Sequence, residues 1–168
     1  MLEKDSYVIY GGNGVCRVAD IRSETMYRKT QSYYILESVN DPGSTIYVPV
    51  GNETLLARIR KIPDREEILQ MLDVLKHDAM RWEPDNRLRA ELFNGVLDRC
   101  DQRELLALIR MIWEKRRELA AENKKLGSSD DNVLKRAEKI INDEFGFALS
   151  IASEEVPAFI SARLNKKE

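Results

Sequence analysis

Few residue types in this 168-residue chain could perform catalysis or bind a metal ion. A hydrolase or transferase needs a base beside its nucleophile, and near neutral pH that base is usually histidine. The chain has one histidine, His77, and two cysteines, Cys16 and Cys100. A typical zinc site takes three or four nitrogen or sulfur ligands, so three such separated residues predict no zinc site. We expect His77 to lie at the C-terminal end of an amphipathic helix. We expect both cysteines to be packing residues with reduced thiols.

Carboxylate pairs and a glycine-rich segment are the other candidate groups. The acid pairs at 66–67 and 130–131 fall in predicted first helical turns, where the helix dipole favours negative charge. The GNG segment at 12–14 precedes a predicted strand, whereas phosphate-binding loops lead into a helix. We therefore expect no cofactor, no metal site and no catalytic activity. An enzyme that relies on an acid pair alone is the least favoured class of function.

The segment HDAMRWEPD at 77–85 carries the clearest binding feature, Trp82. Pro84 predicts that Trp82 lies in a non-helical segment. The ring either folds back onto its own domain or is presented to a partner, and the sequence leaves both readings open. Arg81 precedes the ring, and Arg87 and Arg89 follow it. Apolar side chains beside phosphate-neutralising arginines are typical of proteins that unstack and bend DNA from the minor groove.

Further cations lie near predicted helix ends, where most such residues are simply solvated. Lys125 and Arg136 are the candidates among them for contacts to phosphate. The second tryptophan, Trp113, is one helical turn from Ile109, and we expect it in the core.

The elements that must position these residues divide the chain in two. Residues 1–60 alternate Gly- and Pro-containing turns with β-branched and aromatic segments, which predicts strands at 7–10, 15–21, 32–38 and 45–50. Short strands in so few residues favour a small, strongly curved antiparallel barrel. An accessible edge of that sheet could accept a partner strand.

From Pro63 onward the apolar residues follow a helical period. Capping residues predict five helix starts, at Asp64, at Asp85 or Asn86, at Asp101, at Ser129 or Asp130, and at Ser153. The predicted fold class is α+β, with a β-barrel domain at 1–60 and an all-α five-helix bundle domain at 61–168.

The charge balance limits how the chain could bind nucleic acid. The net charge is −2, and residues 1–60 carry seven basic and seven acidic side chains. DNA binding would therefore need a local patch of cations, and tight non-specific binding is disfavoured. No stretch reaches the roughly 18 apolar residues of a membrane span, and the N-terminal residues have no targeting pattern. We expect a cytoplasmic protein that binds no membrane.

Three segments, YVIYGGNGVCRVADI, SYYILES and IYVPVGN, have the order and spacing of the N-terminal domain of the CarD and CdnL family. The chain resembles that family over nearly its whole length, since a tryptophan followed by RLRAEL and a later LKRAEKII also match. The resemblance implies a Tudor-like first domain that binds the β subunit of bacterial RNA polymerase. It also implies a helical domain whose tryptophan, matched by Trp82, wedges into the minor groove at the upstream edge of the promoter bubble.

Site residues follow from the residues and the resemblance together. The predicted DNA-binding residues are aromatic or basic and comprise Trp82, Arg81, Arg87, Arg89, Arg136 and Lys125. The family's polymerase-facing arginines fall on Glu24 and Tyr47, with Arg22 nearby, so a polymerase contact would use a different charge pattern here. Compared with the family pattern, two extra residues around Glu83 and Pro84 separate Trp82 from the basic residues that follow it. They would change the direction in which its ring points.

Two binding functions are consistent with these features. The first is a monomeric regulator that binds RNA polymerase and stabilises the open promoter complex through sequence-independent contacts to DNA. The second is a protein-interaction adapter that binds polymerase or another partner without touching DNA, with Trp82 as a protein hot spot.

Overall fold

A computed structural model describes residues 1–78 and 80–166, which form two compact units, Met1–Ile62 and the described residues from Pro63 onward. The first unit is built on an antiparallel sheet and the second on helices, so the predicted α+β class is confirmed. A closed barrel and a regular five-helix bundle are not confirmed. In the described residues no helix is long and apolar enough to cross a bilayer.

The first unit contains a five-stranded sheet with the spatial order β4-β3-β2-β1-β5. Its strands are β1 Tyr7–Tyr10, β2 Val15–Met26, β3 Lys29–Ser38, β4 Thr45–Pro49 and β5 Ile59–Arg60. Each neighbouring pair is antiparallel. Closing a barrel would require β4 to pair with β5, and β5 has only two residues to offer. The sheet is therefore open rather than the barrel that the sequence predicted.

The central hairpin is longer than the sequence predicted. Strands β2 and β3 extend to a two-residue turn at Tyr27 and Arg28, and a bulge between Val18 and Asp20 bends β2. Strand β5 and the short helix α1, Glu53–Leu56, were not predicted. Helix α1 is capped by Asn52, whose side chain accepts a 3.1 Å hydrogen bond from the Leu55 amide.

One face of the sheet carries the main apolar cluster of the first unit. The buried residues of this cluster are Val8, Tyr10, Cys16, Val18, Tyr34, Leu36 and Val48. The opposite face also has buried apolar residues, which are Ile9, Val15, Tyr33 and Ile35. Strand β1 enters β2 through a single 3-10 turn, Gly11–Asn13, which ends at Gly14 with φ 73° and ψ −150°. Residues with a Cβ atom rarely adopt this backbone conformation, so the turn depends on glycine at this position.

The second unit contains five α-helices among its described residues. They are α2 Arg65–Leu75, α3 Asn86–Arg99, α4 Gln102–Ala121, α5 Ser128–Leu149 and α6 Val156–Leu164, the last preceded by a 3-10 turn at Ser153–Glu155. The helices surround one apolar core, in which the largest fully buried side chains include Phe145, Leu105, Leu108 and Ile141. An ion pair between Asp73 and Arg163, 2.7 Å long, also joins α2 to α6.

Side chains cap three of these helices where the sequence predicted. Asp64, Asp85 and Asp101 each accept a hydrogen bond from the backbone amide three residues on. Asp64 and Glu67 form a full capping box, in which each side chain accepts a hydrogen bond from the other residue's backbone amide. At α4 the carboxylate of Glu104 instead pairs with Arg99 at 2.8 Å. Helix α5 begins after Gly127 without a side-chain cap.

We predict that Gly14→Ala lowers the free energy of unfolding by about 1–3 kcal/mol. A Cβ atom at this position would meet no atom within 4 Å, so the cost arises from the backbone conformation alone. Urea unfolding followed by circular dichroism measures the effect. Gly12→Ala is the matched control, because Gly12 has the same open surroundings without a positive φ. Equal unfolding midpoints for the two variants would contradict the prediction.

Candidate functional site

The segment between α2 and α3 presents Trp82 from a non-helical stretch of backbone, as Pro84 predicted. Residue Ala79, in the same segment, lies outside the described residues. The segment ends at Asp85, whose side chain accepts a 2.9 Å hydrogen bond from the Leu88 amide and begins α3. Trp82 is thus three residues ahead of a firmly capped helix N-terminus.

The Trp82 ring is half-buried against its own domain. It packs edge-to-face on Phe93 of α3, with ring centroids 6.0 Å apart and an interplanar angle of 69°. Edge-to-face packing is a favoured geometry for aromatic pairs. The ring therefore packs against its own domain while part of it remains accessible to solvent. The structure thus combines the two arrangements that the sequence left open.

Two cations lie over the Trp82 ring. The guanidinium carbon of Arg89 is 4.4 Å from the ring centroid, and the ammonium of Lys115 on α4 is 5.3 Å from it. Both distances are within the range of cation–π attraction. We term the cluster of Trp82, Phe93, Arg89 and Lys115 the Trp82 platform.

Arg89 is buried, and its guanidinium is fully committed inside the domain. Its Nε and Nη2 donate to the two carboxylate oxygens of Asp130 at 2.9 and 2.8 Å. Nη1 donates to the backbone carbonyls of Glu83 at 2.9 Å and Pro84 at 3.4 Å, directly after Trp82. The sequence assigned Arg89 to phosphate, but the structure gives it the role of holding the tryptophan segment in place.

The Arg89–Asp130 pair also brings two helix N-termini together. Asp130 is in the first turn of α5, and Arg89 is in the first turn of α3. Buried charges are stable only when paired and hydrogen-bonded, as this bidentate pair is. The platform therefore sits where the start of α5 meets the start of α3.

Four of the predicted DNA-binding cations are exposed. Arg81 precedes Trp82, Arg87 is in the first turn of α3, Lys125 lies just before α5 and Arg136 is on α5. Among the described residues none of these four forms an ion pair. By contrast, neighbouring Lys135 pairs with Asp131 at 2.8 Å. The exposed cations are thus free to meet an anionic partner.

Trp113 is less deeply buried than the sequence predicted. It packs at the margin of the helical core, and its indole Nε1 donates a 2.7 Å hydrogen bond to Glu138 of α5. A polar partner for the indole N–H explains why the ring sits at the edge of the core.

The three residues predicted to bind polymerase lie together on the first unit. Nε of Arg22 donates to Glu24 at 2.6 Å, and the Tyr47 ring packs edge-to-face on Tyr33, which is opposite Arg22 in the strand register. The hydrogen bond to Glu24, with smaller contributions from Asp20 and Tyr47, raises the pKa of the Arg22 guanidinium above its ordinary value. These residues share the face of the sheet opposite the main apolar cluster, next to the buried residues Tyr33 and Ile35.

Reactive groups are not clustered in the described part of the chain. No three His, Cys, Asp or Glu side chains there are arranged to hold a metal ion. Both thiols are buried and unbridged, and burial raises the pKa of Cys16. A raised pKa lowers the thiolate fraction and hence the reactivity of this side chain.

The comparison with known families concerns the first unit. Residues 2–62 match the family model described as the CarD-like/TRCF RID domain. The match ends where the helical unit begins. No curated protein matches the chain significantly. The resemblance of the N-terminal domain to the CarD family is confirmed, whereas the assignments of individual site residues stay predictions.

Sequence reasoning found Trp82 and its neighbouring cations but missed the platform's supports. Phe93, Lys115 and Asp130 lie on three different helices. Asp130 looked like an ordinary first-turn acid, because its partner is 41 residues away in the chain.

We predict that Asp130→Asn lowers the free energy of unfolding by about 3–5 kcal/mol, because it leaves the buried Arg89 charge without a counter-ion. Asp131→Asn is the matched control: it also removes a first-turn acid of α5, but its partner Lys135 is exposed. Exposed pairs of this kind contribute about 0.3–0.5 kcal/mol. Urea unfolding of the two variants measures the difference, and equal losses would show that the pair is not the support we describe.

Proposed function

The first domain belongs to the CarD-like/TRCF RID family of RNA polymerase-interacting domains, and from this premise we propose that the chain is a transcription regulator. It binds the β subunit of RNA polymerase through residues 2–62. Its helical domain then contacts promoter DNA at the upstream edge of the bubble and stabilises the open complex.

The Trp82 platform is the observation that carries the DNA proposal. A flat aromatic ring contacts Phe93, Arg89 and Lys115 of its own domain and stays partly exposed. Apolar wedges that enter the minor groove must unstack a base step, which costs a few kcal/mol. A ring already fixed by its own domain loses less entropy on binding than a free one would. The platform thus supports a wedge that is preorganised before DNA arrives.

Exposed cations supply the contacts to phosphate in this proposal. Arg81 and Arg87 flank Trp82 in the chain, and Lys125 lies near the start of α5, which Asp130 ties to Arg89. Arg136 extends the charge along α5. Phosphate contacts position a protein without reading sequence, so the binding is expected to be independent of promoter sequence.

The low net charge fits a protein that polymerase delivers to DNA. With a formal charge of −2, the chain gains little from long-range attraction to phosphates. Attachment to polymerase raises the local concentration of the helical domain near the bubble, so weak intrinsic DNA affinity suffices. Only a difference in affinity between open and closed DNA can then shift the promoter toward the open state.

The polymerase contact is proposed to use the sheet face that carries Arg22, Glu24 and Tyr47. Arg22 donates a hydrogen bond to Glu24, and the Tyr47 ring packs on Tyr33. We term Arg22, Glu24 and Tyr47 the Arg22 patch, which is polar and aromatic. Arg and Tyr are among the residues enriched in binding hot spots.

A second candidate function, an adapter without DNA contact, draws support from α3. Leu88 and Leu92 are 43% and 58% exposed on successive turns and line a shallow groove. The other residues of its lining are Glu83, Glu91, Gly95 and Arg99, and the Arg99 guanidinium is paired with Glu104. Acidic side chains beside exposed leucines suit a protein partner better than a phosphate backbone. In this alternative Trp82 would contact that protein.

We predict that Trp82→Ala abolishes most of the chain's effect on open-complex lifetime while leaving its affinity for RNA polymerase unchanged. The measurement is the lifetime of an open complex on a fluorescent promoter bubble, formed by the cognate polymerase with each protein. Trp113→Phe is the control, since it alters the other half-buried tryptophan and should retain the effect. If wild type binds polymerase but neither lengthens nor shortens the lifetime, the adapter function replaces the DNA proposal.

We predict that Arg87→Ala and Arg136→Ala each reduce the salt dependence of DNA binding. The slope of log affinity against log salt is negative, and each lost phosphate contact should make it shallower by about 0.9. The assay is the binding of polymerase-bound chain to bubble DNA across a salt series. Lys135→Ala is the matched control, because this cation on the same helix is already paired with Asp131. Slopes that match wild type in both arginine variants would remove these residues from the DNA contact.

A further inference from the structure

The β2–β3 hairpin continues beyond the rest of the sheet as a two-stranded ribbon. Strand β1 pairs with β2 only as far as Arg17, and β4 pairs with β3 only from Tyr33 onward. Among the described residues, the backbone hydrogen bond from the Val50 amide to the Ser32 carbonyl is the one from outside that lies nearest the hairpin tip. Residues 23–31, which we term the ribbon, therefore pair with no other described strand.

The ribbon has no apolar core to explain its length. None of its residues is buried. Two pairs of hydroxyl groups bridge its strands, Thr25 with Thr30 at 2.8 Å and Ser23 with Ser32 at 3.3 Å. A two-stranded hairpin alone is only marginally stable in water. The ribbon's own contacts thus contribute little to folding of the domain.

The turn at the ribbon's tip is built from residues that are unfavourable there. Met26 pairs with Lys29, so Tyr27 and Arg28 are the two central residues, with φ 51° and 63°. Two-residue turns with positive φ at both positions strongly favour Asn-Gly. A bulky L-residue in the left-handed region costs free energy. This strain is a reason to look for a function in the side chains of Tyr27 and Arg28.

Those side chains form an exposed aromatic and cationic group. Tyr27 is fully exposed, at 101%, while the next most exposed aromatic residue, Tyr7, reaches 45%. Arg28 and Lys29 are exposed and form no ion pair among the described residues. The carboxylate of Glu24, the ribbon's acid, is already bound by Arg22. The tip therefore presents one ring and two available positive charges.

We propose that the ribbon tip, formed by Tyr27, Arg28 and Lys29, is a docking anchor for an acidic protein surface with an apolar socket on RNA polymerase. This inference rests on the proposed function, since it adds a second contact to the polymerase-binding domain. The five steps along the strand from Arg22 to Tyr27 span about 17 Å at about 3.4 Å per residue, so the tip extends the contact well beyond the Arg22 patch. Tyrosine and arginine are typical anchors of protein interfaces.

A protein partner fits this tip better than DNA does. Residues 1–60 have equal numbers of acidic and basic side chains, so the domain as a whole has no attraction for a phosphate backbone. The ring at the apex would find an apolar socket on a protein, while the two cations would face carboxylates around its rim.

The test is the double variant Tyr27→Asn with Arg28→Gly, which installs the favoured turn sequence while removing the anchor. We expect its urea unfolding midpoint to equal or exceed that of wild type, because the turn strain is relieved. We expect its affinity for the cognate RNA polymerase core enzyme to fall at least about tenfold, the loss typical of a hot spot. Lys4→Ala is the charge-matched control, since Lys4 is an exposed cation of the same domain outside the ribbon.

The outcomes separate this inference from the proposed function. If wild type binds polymerase and the double variant binds equally well, the anchor is overturned and the proposed function stands. If the double variant keeps polymerase affinity but loses affinity for bubble DNA, the tip contacts nucleic acid and protein docking is overturned. If wild type itself does not bind polymerase, the proposed function and the proposed docking anchor are both overturned. A loss confined to the double variant, with Lys4→Ala unaffected, supports the anchor.

Discussion

The candidate site of the helical domain depends on one buried ion pair. Arg89 holds the carbonyls that follow Trp82, lies over its ring and is itself neutralised by Asp130 from another helix. Without Asp130 the guanidinium would carry an uncompensated charge inside the domain, which is far costlier than losing a surface pair. The pair therefore couples the packing of α3 and α5 to the orientation of a single surface ring.

The first domain meets a different constraint, because a small open sheet must remain stable while leaving part of its surface for a partner. One face carries the apolar cluster that includes Val18 and Leu36. The opposite face carries the Arg22 patch beside the buried residues Ile9, Val15, Tyr33 and Ile35. The open order leaves β4 and β5 as edges, both short, which limits unwanted pairing with other strands. The two proposed contacts of the chain, to polymerase and to DNA, thus belong to units with separate cores.

Local signals in the sequence predicted most of the helices and strands, and they failed for irregular turns, for very short elements and where distant residues decide the outcome. The caps at Asp64, Asp85 and Asp101 act within one helical turn, and the sequence therefore predicted them. Arg89 was assigned to phosphate because nothing near it in the chain indicates burial, and its partner comes from α5. The long hairpin was missed because Tyr27 and Arg28 are poor turn residues, and β5 because two residues carry no period.

The distance along the chain between Arg89 and Asp130 has a consequence for synthesis on the ribosome. The first domain is complete at residue 62, whereas the carboxylate that fixes the Trp82 segment is added about 70 residues later. At about 5–20 residues per second, the interval is roughly 3–14 s. All residues of the first unit are therefore synthesised several seconds before the carboxylate that fixes the Trp82 segment.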